Sequence, residues 1–151
     1  MFLTRSPKNP ALNAMTRASK FSDVFWMEAA IRLAARGMTR TSPNPMVGCV
    51  IVKNGRKIAE GFHARFGGPH AEINALRKAR LAAKGATMYV SLEPCAHYGK
   101  TPPCLEALLK SGLRRVVIAE KDPNPATRGR SMRALKRAGI SVKTGVLEKE
   151  A

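Results

Sequence analysis

The chain has 151 residues, 44% of them hydrophobic, which is enough for one domain with a core and too little for two. Its 27 Lys and Arg residues against 10 Asp and Glu residues give a formal net charge of +17, so we expect an anion-attracting surface that binds nucleic acid only nonspecifically. Aromatic residues, at 5%, are too sparse for a surface that stacks on single-stranded bases. No apolar run approaches the roughly 20 residues that cross a bilayer, and no secretory signal is evident, so we expect a cytoplasmic protein without a membrane contact.

The N-terminal part of the chain is polar and basic and has no clear periodicity. We expect a flexible extension over residues 1–21 and the folded domain over 22–151. Ser22 is a good N-cap for a helix over 23–36, which has an acidic residue early and apolar residues at helical spacing. Gly37 is expected to end this helix.

A β-hairpin is expected next. Two apolar segments, 47–53 and 56–63, have the composition of strands and are joined by Asn54 and Gly55. This residue pair is the one that a two-residue type I′ turn requires. Cys49 lies within the first strand, so we interpret it as a buried core residue.

Helices and strands alternate over the second half of the chain. We expect helices over 71–83, 105–111 and 129–138, and strands over 88–92, 115–120 and 140–146. A hairpin followed by this alternation predicts an α/β protein: a three-layer α/β/α sandwich with a five-stranded mixed sheet.

Four residues in the middle of the chain have the chemistry of a catalytic zinc site. His70, Glu72, Cys95 and Cys104 supply one imidazole, one carboxylate and two thiols. A catalytic zinc has three protein ligands and one open position, whereas a structural zinc usually has four protein ligands. We therefore predict that His70, Cys95 and Cys104 bind Zn²⁺. Glu72 is then left to carry protons between water and a substrate.

The surroundings of the two thiols support this prediction. We expect helix starts near Cys95 and Cys104, whose first-turn N–H groups would stabilise both thiolates before a metal binds. The chain has three cysteines, and two of them as zinc ligands fit a reducing compartment better than a disulfide framework. Glu93 is a second acid near the site, but its place at a strand end indicates that it holds the local backbone.

Four segments together resemble a known family. They are TSPNPMVG over 41–48, GFH over 61–63 with HAE over 70–72, LEPCAHYGKTPPC over 92–104 and DPNP over 122–125. From about residue 23 to 147 the chain is similar to the deaminase domain of the riboflavin-biosynthesis bifunctional deaminase-reductases, in the zinc-dependent cytidine and deoxycytidylate deaminase superfamily. Eight residues separate the two cysteines, whereas the tRNA adenosine, cytosine and deoxycytidylate deaminases have two.

The resemblance implies a cytidine-deaminase-like fold and a reaction. That reaction is hydrolytic removal of the 2-amino group from 2,5-diamino-6-ribosylamino-4(3H)-pyrimidinone 5′-phosphate, which gives the pyrimidinedione and ammonia. It also implies that His70, Cys95 and Cys104 bind zinc and that Glu72 is the proton carrier. Six positions match the family's substrate-contacting residues: Asn44, His63, His97, Lys100, Asp122 and Asn124.

The side chains of these six residues suit a phosphorylated pyrimidine. Lys100, with one or both of the two histidines, could bind the phosphate. The amides and the carboxylate can satisfy donors and acceptors of the ring and the ribose.

Two features depart from the usual family member. The chain stops near the point where a reductase domain would begin, so we expect the reductase to be a separate polypeptide, unless this chain is a fragment of a longer protein. Residues 126–128 are Ala, Thr and Arg, where the family more often has small apolar residues. The sequence leaves open whether the chain forms a homo-oligomer.

Two other functions compete with the favoured one. A deaminase that edits tRNA or single-stranded DNA would explain the charge of +17, but the long segment between the cysteines argues for a small-molecule substrate. A basic zinc protein without enzymatic activity would need a structural metal, and the intact Glu72 and the missing fourth ligand argue against it.

Overall fold

A five-stranded sheet with helices on both faces forms the centre of the protein. The computed structural model describes residues 21–99 and 101–151, so most of the predicted extension and the predicted substrate-binding residue Lys100 lie outside the described residues. The α-helices are α1 (Asp23–Ala34), α2 (Ala71–Ala79), α3 (Cys104–Lys110) and α4 (Arg130–Arg137). The strands are β1 (Gly48–Lys53), β2 (Arg56–Phe62), β3 (Thr87–Leu92), β4 (Arg115–Glu120) and β5 (Ser141–Thr144).

The strand order is β2-β1-β3-β4-β5, and the strand directions are mixed. Strand β1 pairs antiparallel with both β2 and β3, whereas β3, β4 and β5 are parallel to one another. The tight turn confirms the predicted hairpin, because Asn54 and Gly55 have φ values of 51° and 72°. The parallel strands are connected through helices, as parallel pairing requires.

The two faces of the sheet bury different side chains, because successive side chains of a strand point in opposite directions. On one face, Cys49 and Ile51 belong to a core that includes residues of α2, α3 and α4. On the other face, Val50 and Val52 pack with Trp26 and other residues of α1. The predicted α/β/α sandwich with a five-stranded mixed sheet is thus confirmed.

Two glycines allow helices to lie directly against the sheet. A Cβ atom on Gly48 would overlap the backbone of Ala30 in α1, and a Cβ atom on Gly61 would overlap the backbone of Ala71 in α2. Both helices therefore approach the sheet more closely than a side chain at these positions would permit.

Several elements are shorter than predicted. The helix expected over 71–83 ends at Ala79, because Arg80 has a positive φ of 50° and starts a short 3₁₀ turn. Strand β5 covers four residues rather than seven, since only these pair with β4 before Gly145 turns the chain. Among the residues that the structure describes, no helix is long and apolar enough to cross a membrane.

Candidate metal centre

The three predicted zinc ligands lie together at one edge of the sheet. His70 is the N-cap of α2, Cys104 is the first residue of α3, and Cys95 follows the carboxyl end of β3. The Nδ1 atom of His70 lies 3.1 Å from Sγ of Cys104 and 3.6 Å from Sγ of Cys95. All three ligand atoms lie within 4.8 Å of one another. One imidazole and two thiols at this spacing fit a tetrahedral zinc with one open position.

The two thiols differ in acidity. The hydrogen bond from the Cys104 thiol lowers the pKa of Cys95 to about 4, and the Cys104 backbone N–H, 3.2 Å from Sγ of Cys95, acts in the same direction. The hydrogen bond to Cys95 and burial raise the pKa of Cys104 instead. The direction of the pKa change therefore agrees with the expected stabilisation of the thiolate at Cys95 but not at Cys104. The hydrogen bond between the two thiols acts in opposite directions on them, and the first N–H of α3, which points at the sulfur of Cys95, adds to the effect there.

Glu72 is a buried acid beside the three ligands. It lies in the first turn of α2, and its side chain is only 3% exposed. Burial, with a further contribution from the charge of Cys95, raises the pKa of Glu72 to about 7. A carboxyl group with a pKa near neutrality can both accept and return a proton at physiological pH.

A pocket of about 360 Å³ opens onto this centre. His70, Glu72 and Cys95 line it, so an occupant would meet two of the three predicted ligands together with the acid. A smaller pocket of about 170 Å³ adjoins it and shares four lining residues with it. Four of the six predicted substrate-binding residues line the larger pocket: Asn44, His63, His97 and Asp122.

His63 and Asn44 form one hydrogen-bonded unit in the pocket wall. The Pro69 carbonyl oxygen can only accept a hydrogen bond, so the His63 Nδ1 atom, 3.1 Å away, donates to it. The Nε2 atom then accepts from the Asn44 amide at 3.4 Å. Because both ring nitrogens have protein partners and the residue is 2% exposed, His63 fixes the Asn44 amide, and His97 is the exposed imidazole at the pocket.

The structure does not bring Asn124 into the pocket wall. This residue is exposed, and its side-chain oxygen accepts a hydrogen bond from the backbone N–H of Ala126 at 3.0 Å. Its own backbone N–H donates to Oδ1 of Asp122 at 2.9 Å. Asn124 therefore shapes the loop that carries Asp122, a local role for which Asn is well suited.

Glu93 has a wider role than the sequence predicted. Its carboxylate accepts hydrogen bonds from the backbone of Asp122 and Gly129 and from the hydroxyl of Ser131. Thr127, in the segment that departs from the family pattern, donates its hydroxyl to Oδ2 of Asp122 at 2.6 Å. The sequence singled out Glu93 because it is an acid two residues from the predicted ligand Cys95. Its partners could not be inferred from the sequence because they are 29 to 38 residues away.

Comparison with known proteins gives a consistent result. Residues 21–120 match the family described as the cytidine and deoxycytidylate deaminase zinc-binding region. The chain is 55% identical to the diaminohydroxyphosphoribosylamino-pyrimidine deaminase of Buchnera aphidicola from Acyrthosiphon pisum, over 86% of this chain and 88% of that protein. It is 54% identical to the riboflavin biosynthesis protein RibD of Escherichia coli, over 85% of this chain but only 35% of that protein.

A solved structure agrees with these sequence relatives. The structure of RibD from Acinetobacter baumannii superimposes with a TM-score of 0.84 at 56% identity, and covers 85% of this chain and 36% of that one. The chain thus spans about a third of the length of the RibD proteins and most of the length of the Buchnera protein.

Proposed function

Because this chain belongs to the cytidine and deoxycytidylate deaminase zinc-binding family, with diaminohydroxyphosphoribosylamino-pyrimidine deaminases among its relatives, we propose that it is a deaminase of riboflavin biosynthesis. Its substrate is 2,5-diamino-6-ribosylamino-4(3H)-pyrimidinone 5′-phosphate, and its products are the pyrimidinedione and ammonia. The observation that carries this proposal is the buried Glu72 carboxyl, which lines one pocket together with His70 and Cys95, next to the cluster of His70, Cys95 and Cys104.

The residues divide the chemistry between them. His70, Cys95 and Cys104 hold the zinc ion, which when bound supplies a Lewis acid that makes water nucleophilic near neutral pH. Glu72 takes a proton from the attacking water at its carboxylate. The new C–O bond forms at C2 of the pyrimidine and the C–N bond breaks. Glu72 returns its proton to the departing nitrogen, which leaves as ammonia.

The pocket wall is proposed to hold the pyrimidine nucleotide. Asn44, fixed by His63, presents its amide to the ring. The carboxylate of Asp122 accepts hydrogen bonds from ring or ribose donors, since each of its oxygens keeps acceptor capacity beyond the bond it makes within its own loop. His97 and Lys100 are proposed to bind the phosphate. Asn124 contributes by shaping the loop.

The proposed cellular setting follows from the same chemistry. The three cysteines are free thiols, and two of them must stay reduced to bind zinc, which supports a cytoplasmic location. The pyrimidinedione product would pass to a reductase for reduction of its ribose. Nucleic acid would contact the chain only nonspecifically through its net charge of +17.

Ammonia release tests the proposal directly. The zinc-loaded protein would be incubated with the diaminopyrimidine nucleotide and, in parallel, with cytidine, deoxycytidylate and a tRNA anticodon stem. We expect turnover of the first substrate alone. Preferential deamination of the tRNA stem would instead support an editing deaminase, and no release from any substrate would contradict a deaminase.

A further inference from the structure

The carboxylate of Glu93 lies where the metal centre meets the loop that carries Asp122. Glu93 follows the last residue of β3 and precedes Cys95 by two positions. Its side chain is buried, at 6% exposure, and lines the larger pocket. Its backbone N–H donates to the carbonyl oxygen of Glu120 at 2.8 Å, which continues the β3–β4 pairing past the strand end. Its backbone is therefore tied to the sheet.

Three donors converge on this carboxylate. The backbone N–H of Asp122 donates to Oε2 at 2.9 Å, and the backbone N–H of Gly129 donates to Oε1 at 2.8 Å. The hydroxyl of Ser131 also donates to Oε1, at 3.0 Å. A buried carboxylate with three such donors holds its partners firmly, because hydrogen bonds to a charged acceptor are stronger than those to a neutral one. Its role is therefore distinct from that of the proton carrier Glu72.

The loop between these donors is closed by its own contacts. Asp122 accepts from the backbone N–H of Asn124 through Oδ1 and from the hydroxyl of Thr127 through Oδ2. The Glu93 carboxylate thus holds the two ends of the loop through the backbone N–H groups of Asp122 and Gly129. Within the loop, Thr127 holds the side chain of Asp122. Gly129 has a φ of +82°, a conformation that lets its N–H face Glu93 and that a side chain would strain.

We propose that Glu93 is a positioning residue that holds the Asp122–Gly129 loop at the mouth of the pocket and thereby sets how tightly Asp122 binds substrate. This inference rests on the proposed function, because it requires that Asp122 contacts the nucleotide. Glu93 acts through the loop and takes no part in the proton transfer. Thr127 serves the same end by fixing the rotamer of Asp122.

The first test is steady-state kinetics of Glu93→Gln. The amide keeps the shape but turns one acceptor into a donor, which then faces either the Asp122 N–H or the Gly129 N–H and Ser131 hydroxyl. We expect KM to rise about tenfold, kcat to stay within about threefold and zinc content to stay at the wild-type level. Thr127→Val, which removes the hydroxyl and its bonds to the Asp122 carboxylate and the Asn124 carbonyl oxygen, should also raise KM. The matched control is Glu28→Gln, an exposed glutamate on α1, which should change neither constant. A large fall in kcat with KM unchanged would place Glu93 in the chemical step and overturn the proposal.

The second test asks whether Glu93 acts through Asp122. If it does, the double variant of Glu93→Gln with Asp122→Asn should have nearly the same KM as Asp122→Asn alone, because the loop position no longer matters once the carboxylate is gone. Multiplicative effects of the two changes would show independent roles and refute the coupling.

Hydrogen–deuterium exchange separates this inference from the proposed function. In Glu93→Gln, backbone amides of 121–129 should exchange about tenfold faster than in the wild type, while those of β1 and β3 stay unchanged. This measurement needs no substrate, so it decides whether Glu93 holds the loop even if the wild type releases no ammonia. Unchanged exchange in the loop would overturn the positioning role whatever the activity.

Discussion

Asp23 and Arg115 are paired through both oxygens of the carboxylate, at 2.8 Å and 2.9 Å from the two guanidinium nitrogens. Asp23 is the first residue of α1 and Arg115 is the first residue of β4, so the pair fastens the helix to the sheet on the face opposite the metal centre. Lys143 and the hydroxyl of Tyr89 donate to the same carboxylate. Side chains from three strands, β3, β4 and β5, thus contact one carboxylate of α1.

Removing this acid should destabilise the fold without changing the metal site. For Asp23→Asn we expect the free energy of unfolding to fall by about 1–2 kcal/mol, since a two-point charged contact is lost but the pair is partly exposed. Urea denaturation of the zinc-loaded protein measures this loss. Glu28→Gln, on the same helix, makes no ion pair among the described residues and is the control. A loss no larger than that of the control would contradict the prediction.

The same cluster predicts a loss of stability at alkaline pH. Burial and the hydrogen bond to Asp23 raise the pKa of Tyr89 to about 12, whereas an unfolded tyrosine titrates near 10. Between these values the folded state holds a proton that the unfolded state has lost, so the contribution of Tyr89 is full below about pH 10 and falls as pH rises. We therefore expect the stability difference between the wild type and Tyr89→Phe to shrink between pH 9 and pH 11, as followed by urea denaturation. A constant difference over this range would refute the assignment.

The metal centre should fail when a thiol is replaced. We expect about one zinc per chain in the wild type and loss of zinc in Cys95→Ser and in Cys104→Ser, because the described part of the chain offers only three ligand atoms at this centre. Elemental analysis after gel filtration measures the content. Cys49→Ser changes a buried thiol outside the ligand set and should keep its zinc. A metal-free preparation with full activity would contradict the prediction.

Glu72→Gln should separate metal binding from proton transfer. The amide keeps the shape of the side chain but cannot carry a proton, so we expect zinc content to be unchanged and kcat to fall by about 10²–10⁴-fold. Metal content and ammonia release should be measured on the same sample. Substantial residual turnover would exclude Glu72 as the proton carrier.

Removing positive charge at Lys100 or on α4 should distinguish binding of a mononucleotide substrate from attraction of nucleic acid to the surface. If Lys100 binds the substrate phosphate, Lys100→Ala should raise KM by about ten- to hundredfold. Replacing Arg130, Arg133 and Arg137 on α4, all exposed, should barely change it. Kinetics of both variants at low and moderate salt provide the comparison. An editing deaminase predicts the reverse, with a steep salt dependence and a loss of activity in the arginine variant.

Local chemistry explains what the sequence predicted well. Asn54 and Gly55 specify their turn by backbone preference alone. The order of His70, Cys95 and Cys104 predicts a metal centre because each of these residues lies at an element boundary. The structure brings the ligand atoms of these three side chains within 4.8 Å of one another.

Long-range pairing explains what the sequence missed. Asp23 and Arg115 are 92 residues apart, and Glu93 and Ser131 are 38 apart, so only the assembled sheet brings them into contact. The difference in acidity between Cys95 and Cys104 depends first on the hydrogen bond between the two thiols and then on the first N–H of α3, which faces the sulfur of Cys95. Asn124 accepts hydrogen bonds from Ala126 and Thr127 within its own loop, and composition alone does not reveal these contacts.

Gly61 lies in β2, an edge strand, and is not among the three predicted ligands. It nevertheless affects the distances between the side chains of the metal centre. Because Gly61 has no side chain, the backbone of Ala71 packs directly against the sheet. The distance from β2 to the start of α2 therefore depends on this glycine. His70 and Glu72 flank Ala71, so the positions of their imidazole and carboxyl groups depend on that distance, whereas Cys95 follows the end of β3. The distance between the His70 imidazole and the Cys95 thiol therefore depends on the spacing between the sheet and α2. A methyl group added at Gly61 would change this spacing.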